Sequence, residues 1–129
     1  MERQDGTQLT DMTAMQDPIE WADFERVALC VGTVMKVEAF PQARKPAWKL
    51  WVDFGPHGTR KTSAQIVSLY SAEDLVGRQI VGVINFPPKQ IGGFLSEFLL
   101  TGFHTDAGVV ITTVERPVPQ ATEVLVQVK

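Results

Sequence analysis

Between Trp48 and Phe54 the chain alternates strictly. Trp48, Leu50, Val52 and Phe54 are separated by Lys49, Trp51 and Asp53. A period of two places the first set on one face of a strand and the second on the other. Further strand signals flank it. Leu29–Glu38 is rich in valine, with Gly32 as a bend point, and Lys61–Ile66 is a short polar strand. In Arg78–Phe86, Ile80, Gly82 and Ile84 alternate with Val81, Val83 and Asn85. Phe98–Phe103, Val109–Thr113 and Glu123–Val128 complete the set. Proline- and glycine-bearing stretches such as FPQARKPA and GPHGTR separate these runs, as turns require.

Two short helices interrupt the pattern. Asp17 precedes Pro18, with Glu20 three positions after the aspartate, which predicts a helix from about Pro18 to Arg26. Trp21 and Phe24 share a face of it. So short a helix does not stand alone in water and must pack on the body or on a partner chain. SLYSAEDLVG predicts a second brief helix, closed by Gly77, between the third and fourth strands. The whole pattern fits an all-β fold: a five-stranded OB-fold barrel with short helices and additional terminal strands. A βαβ enzyme is disfavoured because its long crossover helices are missing. Residues 1–16 show no periodicity, and 1–18 read as a disordered acidic tail ahead of a domain spanning 19–129.

Composition narrows the class. At 129 residues the chain is sized for one domain, and 44% hydrophobic with 21% charged residues suits a soluble globule. It holds no apolar run of about 18 residues, and its first residues lack a signal-peptide pattern. The expectation is a cytoplasmic protein without membrane insertion. The net charge of −3 hides a division. Residues 1–25 carry seven acids against one base, so −6; residues 26–129 carry eleven bases against eight acids, so +3. Six bases and two acids lie between Lys36 and Lys61. Such a segment suits a polyanion or an ordinary solvated surface.

The sequence offers little catalytic chemistry. Cys30, the only cysteine, has no disulfide partner and reads as a small buried hydrophobe. His57 and His104 stand outside any metal-ligand spacing. No phosphate-loop, dinucleotide or nucleophilic-triad pattern occurs, IGGF included. A non-catalytic protein without metal or cofactor is expected.

Three features suit binding instead. Arg44, Lys45 and Lys49 bracket the entry to the second strand, and Arg60 and Lys61 open the third, so these cations are expected to converge across a turn. Trp51 lies on the face opposite Leu50 and Val52. It fits stacking on bases, burial in the fold or a dimer, or an incidental surface site. NFPPKQIGGFLSE (85–97) reads as a turn between strands or as the rim of a binding edge framed by Asn85, Ser96 and Glu97.

The ordered set FPQARKPAWKLWVDFG (40–55), SAQI (63–66), NFPPKQIGGFLSEFLLTGF (85–103) and PVP (117–119) resembles the CsaA-like export-related chaperones. These are a branch of the tRNA-binding domain family, whose members also stand alone or append methionyl- and phenylalanyl-tRNA synthetases. The resemblance covers about residues 19–129. It implies an OB-fold homodimer that binds tRNA by shape, and also unfolded or pre-secretory polypeptides in protein export. On matching positions it implies that Lys49, Ser63, Gln65, Asn85, Ser96 and Glu97 face the ligand, while Arg44, Lys45 and Lys89 add positive potential. With Arg60 and Lys61 these are the candidate RNA contacts. A rival reading is an ATP-independent peptide chaperone with a groove of Phe86, Ile91 and Phe94, rimmed by Lys89 and Glu97. A third is a structural subunit docked to a synthetase or export complex. The chain departs from the family in its long acidic lead-in and in Trp51, where an aliphatic residue is expected.

Overall fold

The alternating run forms the centre of a curved sheet. In the computed structural model, which describes residues 15–124, β2 (Trp48–Asp53) pairs on one side with β1 (Leu29–Ala39) and on the other with β3 (Thr59–Ala64). β1 also pairs with β4 (Gln79–Val83), and β4 with β7 (Leu99–Leu100), giving the antiparallel order β3-β2-β1-β4-β7. The free edge of β3 bends towards the start of β7. There Glu97 N–H donates to Lys61 C=O (2.7 Å), and the Thr62 hydroxyl donates to Phe98 C=O (2.8 Å). The five strands thus make a nearly closed barrel of the expected OB type. Two hairpins are added: β5 (Lys89–Ile91) with β6 (Phe94–Ser96), and β8 (Gly102–Thr105) with β9 (Gly108–Ile111). Of the expected last strand, Glu123 bridges to Cys30, and residues 125–129 lie outside the described residues. So do residues 1–14, most of the expected acidic tail.

The inward residues of β2 are fully buried: Leu50, Val52 and, just past the strand, Phe54. Each contributes on the order of 1.5–3 kcal/mol by leaving water. They pack with Val34, Ile80, Leu75 and Phe98. Phe54 and Phe98 meet edge to face at 5.0 Å. Gly82 makes that contact possible, because a Cβ there would lie 2.8 Å from the Phe98 ring. Cys30 is in this core, where burial, with Glu123 adding to it, pushes its thiol pKa up; Arg60 acts the other way. A thiol held protonated is a poor nucleophile, as the small-hydrophobe reading requires.

Both helices form, with altered starts. α1 is Trp21–Glu25, shorter than the expected Pro18–Arg26. Its cap is Glu20 paired reciprocally with Asp23, not Asp17, so Pro18 lies before the helix. α2 (Ala72–Leu75) carries a capping box between Ser71 and Asp74, and Gly77 closes it at φ +88°. The Ser71 N–H and hydroxyl hold the Asp74 carboxyl below its ordinary pKa.

One irregularity redirects a face. β1 and β2 slip register between Val34 and Lys36. Before the slip, Cys30 and Val34 point inwards; after it, Val37 does. An extra residue, Met35, re-aims the rest of the strand, as a β-bulge does. Lys36 is thereby turned to the outer face, opposite Trp51.

Candidate functional site

The stretch NFPPKQIGGFLSE builds one wall of a cleft. Gly92 (φ +55°) and Gly93 (φ +81°) make a two-residue turn that folds β5 onto β6. Two successive positive φ values are those of the primed hairpin turns, which glycine adopts without strain. Facing the hairpin is the β1–β2 loop with Ala43, Arg44, Lys45 and Ala47. Between them lies the end of β3, with Thr62, Ser63, Gln65 and Ile66. Leu99, Leu100, His104 and Val109 close the far side of a space of about 1240 Å³. That volume exceeds the usual small-molecule pocket and suits part of a macromolecule. Arg44, Lys45 and Lys89 line it, and among the described residues no carboxylate does. Its walls are otherwise largely apolar, Phe86 being exposed there.

The structure gathers Arg44, Lys45, Ser63, Gln65, Lys89, Ser96, Phe86 and Ile91 at this cleft. It takes the other candidates elsewhere. Asn85 is bound into the chain: its carbonyl accepts from Ala28 N–H (3.0 Å), and its amide donates to Arg26 C=O (2.6 Å). It fastens the end of α1 to the exit of β4. Glu97 accepts from Lys61 N–H (3.1 Å) and closes the barrel edge. Ser96 shares a hydrogen bond with the buried Thr62 hydroxyl (2.8 Å), so it reaches the cleft as part of the hairpin's anchor. Of the cations expected to converge across the turn, Lys49 and Lys61 do meet, both over the Phe94 ring. Arg60, next to Lys61 in one strand, points to the opposite face. Arg60 donates to Ile84 C=O (2.6 Å).

Phe94 does not line this cleft. It is buried beneath the hairpin against Phe40, with ring centres 5.5 Å apart, and Trp51 meets it edge-on at 6.0 Å. Trp51 is therefore half-buried in a second cluster of Phe40, Ala47, Phe94, Ala43 and Ile91. Ala43, Ala47 and Ile91 also line the cleft, so this cluster is its wall. Lys49 and Lys61 also stand against this cluster, and Lys49 is the cross-strand partner of Ser63 in the cleft. The Lys49 ammonium lies 4.9 Å from the Phe40 ring centre and 5.1 Å from that of Phe94; the Lys61 ammonium lies 5.2 Å from Phe94. Sequence reading missed Thr62, Leu99, Leu100, His104 and Val109 as cleft residues. They arrive from separate segments whose residue types carry no binding signal, so only the barrel topology joins them.

Comparison with known proteins supplies the family. A family model described as "Putative tRNA binding domain" matches residues 29–123. The chain belongs to the tRNA-binding domain family. Within it the chain is CsaA-like. It is 41% identical to the crystal structure of the chaperone CsaA from Bacillus anthracis str. Ames, with a TM-score of 0.80, covering 84% of this chain and all of that one. The CsaA chaperone from Picrophilus torridus is 37% identical at a TM-score of 0.78, again over 84% of this chain and all of that one. Among curated relatives, the methionine–tRNA ligase of Methanocaldococcus jannaschii is 31% identical over 109 residues, which are 84% of this chain but 16% of the ligase. The chain thus spans about a sixth of that relative's length. This member's described residues include no group of three or more histidine, cysteine or acidic side chains that could hold a metal ion. They include no helix long and apolar enough to cross a membrane.

Proposed function

We propose that this chain is a non-catalytic, cytoplasmic, homodimeric tRNA-binding protein that holds folded RNA at the cleft between the β1–β2 loop and the β5–β6 hairpin. The observation that carries this reading is a cleft lined by Arg44, Lys45 and Lys89 and, among the described residues, by no carboxylate, in a domain of the tRNA-binding family. Uncompensated cations attract phosphates and release their counterions on contact. Hydroxyls and amides on the floor, Ser63, Gln65 and Ser96, restrict the pose. Recognition by shape suits such a set, since RNA helices expose phosphates and 2′-hydroxyls rather than a readable groove. A second apolar groove, with Leu29, Val31, Phe103 and Val124, suits self-association. Sedimentation equilibrium at micromolar protein checks this: a dimer is expected, and a stable monomer overturns it.

One observation favours a second activity. Phe86, Pro87, Ile91, Leu99 and Leu100 give the cleft an apolar wall that RNA phosphates do not need. With the CsaA likeness, this supports ATP-independent binding of unfolded or pre-secretory polypeptides in protein export. The deciding experiment titrates the protein with tRNA and with an unfolded polypeptide at two salt concentrations. tRNA binding should weaken steeply with salt and polypeptide binding only slightly. Undetectable tRNA binding at low salt overturns the first reading.

A further inference from the structure

The acidic lead-in and the cleft are complementary in two respects. The cleft is cationic at Arg44, Lys45 and Lys89 and apolar at Phe86, Ile91 and Leu99. Residues 1–25 carry seven acids against one base, and the acids are interspersed with apolar residues. From Leu9 to Asp17 the chain reads LTDMTAMQD: Asp11 and Asp17 stand among Leu9, Met12, Ala14 and Met15, with no base. A purely acidic segment would satisfy the cations and leave the apolar wall wet, and a purely apolar one would do the reverse; this stretch carries both kinds of group. Its described end is turned to water: Met15 is 93% exposed, and Asp17 is exposed beside it. Among the described residues neither Asp17 nor Glu25 enters an ion pair. The fold also fastens this end of the chain next to the cleft. The Asn85 amide donates to Arg26 C=O (2.6 Å), and its carbonyl accepts from Ala28 N–H (3.0 Å), so the end of α1 is tied to Asn85. The two residues after Asn85, Phe86 and Pro87, line the cleft. α1 is only about 7 Å long, and the chain from Leu9 to Trp21 can reach roughly 40 Å, so the stretch is within reach of the whole cleft.

We propose that residues 9–17 occupy the cleft of their own chain when no ligand is bound, with Asp11 and Asp17 against Arg44, Lys45 and Lys89 and with Leu9, Met12 and Met15 against the apolar wall, so that tRNA must displace them. The contact stands independently of the tRNA-binding reading; its consequence for tRNA rests on that reading. Covalent attachment is what makes so short a stretch effective. A tethered segment meets its site at an effective concentration in the millimolar range, so even a weak contact is populated. The acids are also the groups a phosphate polymer replaces, which makes the two occupants exclusive.

The test is paramagnetic broadening in the full chain carrying Gln8→Cys with a nitroxide label; Cys30 is buried and does not compete for the label. At low salt the amide signals of Gln65, Lys89 and Ile91 should broaden. The broadening should persist when the labelled chain is diluted into excess unlabelled chain, and it should disappear in R44Q/K45Q/K89Q. No broadening at the cleft, or broadening that the cleft substitutions leave unchanged, overturns the contact; loss on dilution overturns its being made within one chain. The second readout is tRNA affinity. E2Q/D5N/D11N/D17N spares the Glu20–Asp23 cap of α1. It should bind tRNA about two- to fivefold more tightly than wild type at about 50 mM salt, because a tethered occupant of millimolar affinity leaves about a half to a fifth of the clefts open. The gain should vanish when R44Q/K45Q/K89Q is added. An equal gain in both backgrounds is long-range repulsion and overturns the competition. A wild-type chain that shows the broadening and binds no tRNA overturns the tRNA reading and leaves the contact standing.

Discussion

The cleft cations and the strand lysines Lys49 and Lys61 hold charge in different ways. In the cleft, Arg44 and Lys45 come from the β1–β2 loop and Lys89 from the start of the β5–β6 hairpin, and all three stand exposed around an apolar space. Lys49 and Lys61 come from adjacent strands, are half-buried, and lie against rings. An exposed cation can follow its ligand, whereas a strand cation held on an aromatic plane keeps its position. One aromatic cluster serves both, since Ala43, Ala47 and Ile91 of the cleft wall pack on it as well.

Removing the wall should break the comparison most severely. Phe94→Ala leaves a cavity under the hairpin and takes the rings' support from Lys49 and Lys61. A loss of about 3 kcal/mol is expected from chemical denaturation, with tRNA and polypeptide binding both reduced. If only one ligand is affected, the wall is not shared. A smaller effect is expected at the hairpin's anchor. Thr62→Val removes the shorter of two hydroxyl bonds to Phe98 C=O, leaving the one from Ser96 (3.4 Å), and should cost about 1 kcal/mol. Its binding losses should be confined to the cleft. The smallest stability effect is expected at Phe86, which is 53% exposed. Phe86→Ala should change stability by less than about 0.5 kcal/mol. It should weaken polypeptide binding while leaving the tRNA salt slope as it was.

Much of the barrel was legible because burial tracks alternation. Leu50, Val52 and Phe54 read as one face and are fully buried. Gly92–Gly93 read as a reversal and makes one. The same rule, applied to Arg60 and Lys61, assigns them to opposite faces; grouping them by charge obscured it. Other features had no local signal. Val34–Met35–Lys36 reads equally well with or without a bulge, because register is decided by the partner strand. Phe94 sits in a three-residue strand, too short for alternation to reveal which face is covered. Asn85 is bound to residues 57 and 59 positions away, so its place as a chain fastener emerges only on folding. The cleft itself was half visible: its cations and Phe86 stood out by type, while its far wall did not.

The central claim is that tRNA is held by the cations of the cleft. The most direct measurement is tRNA affinity across a salt series for the wild-type chain and for R44Q/K45Q/K89Q. These three side chains are solvent-exposed, so the variant should unfold within about 0.5 kcal/mol of wild type. The account predicts steep salt dependence for wild type. For the variant it predicts a clear loss of affinity at low salt and a slope shallower by about 3. A wild-type affinity that ignores salt, or a variant that binds tRNA as wild type does, would contradict it.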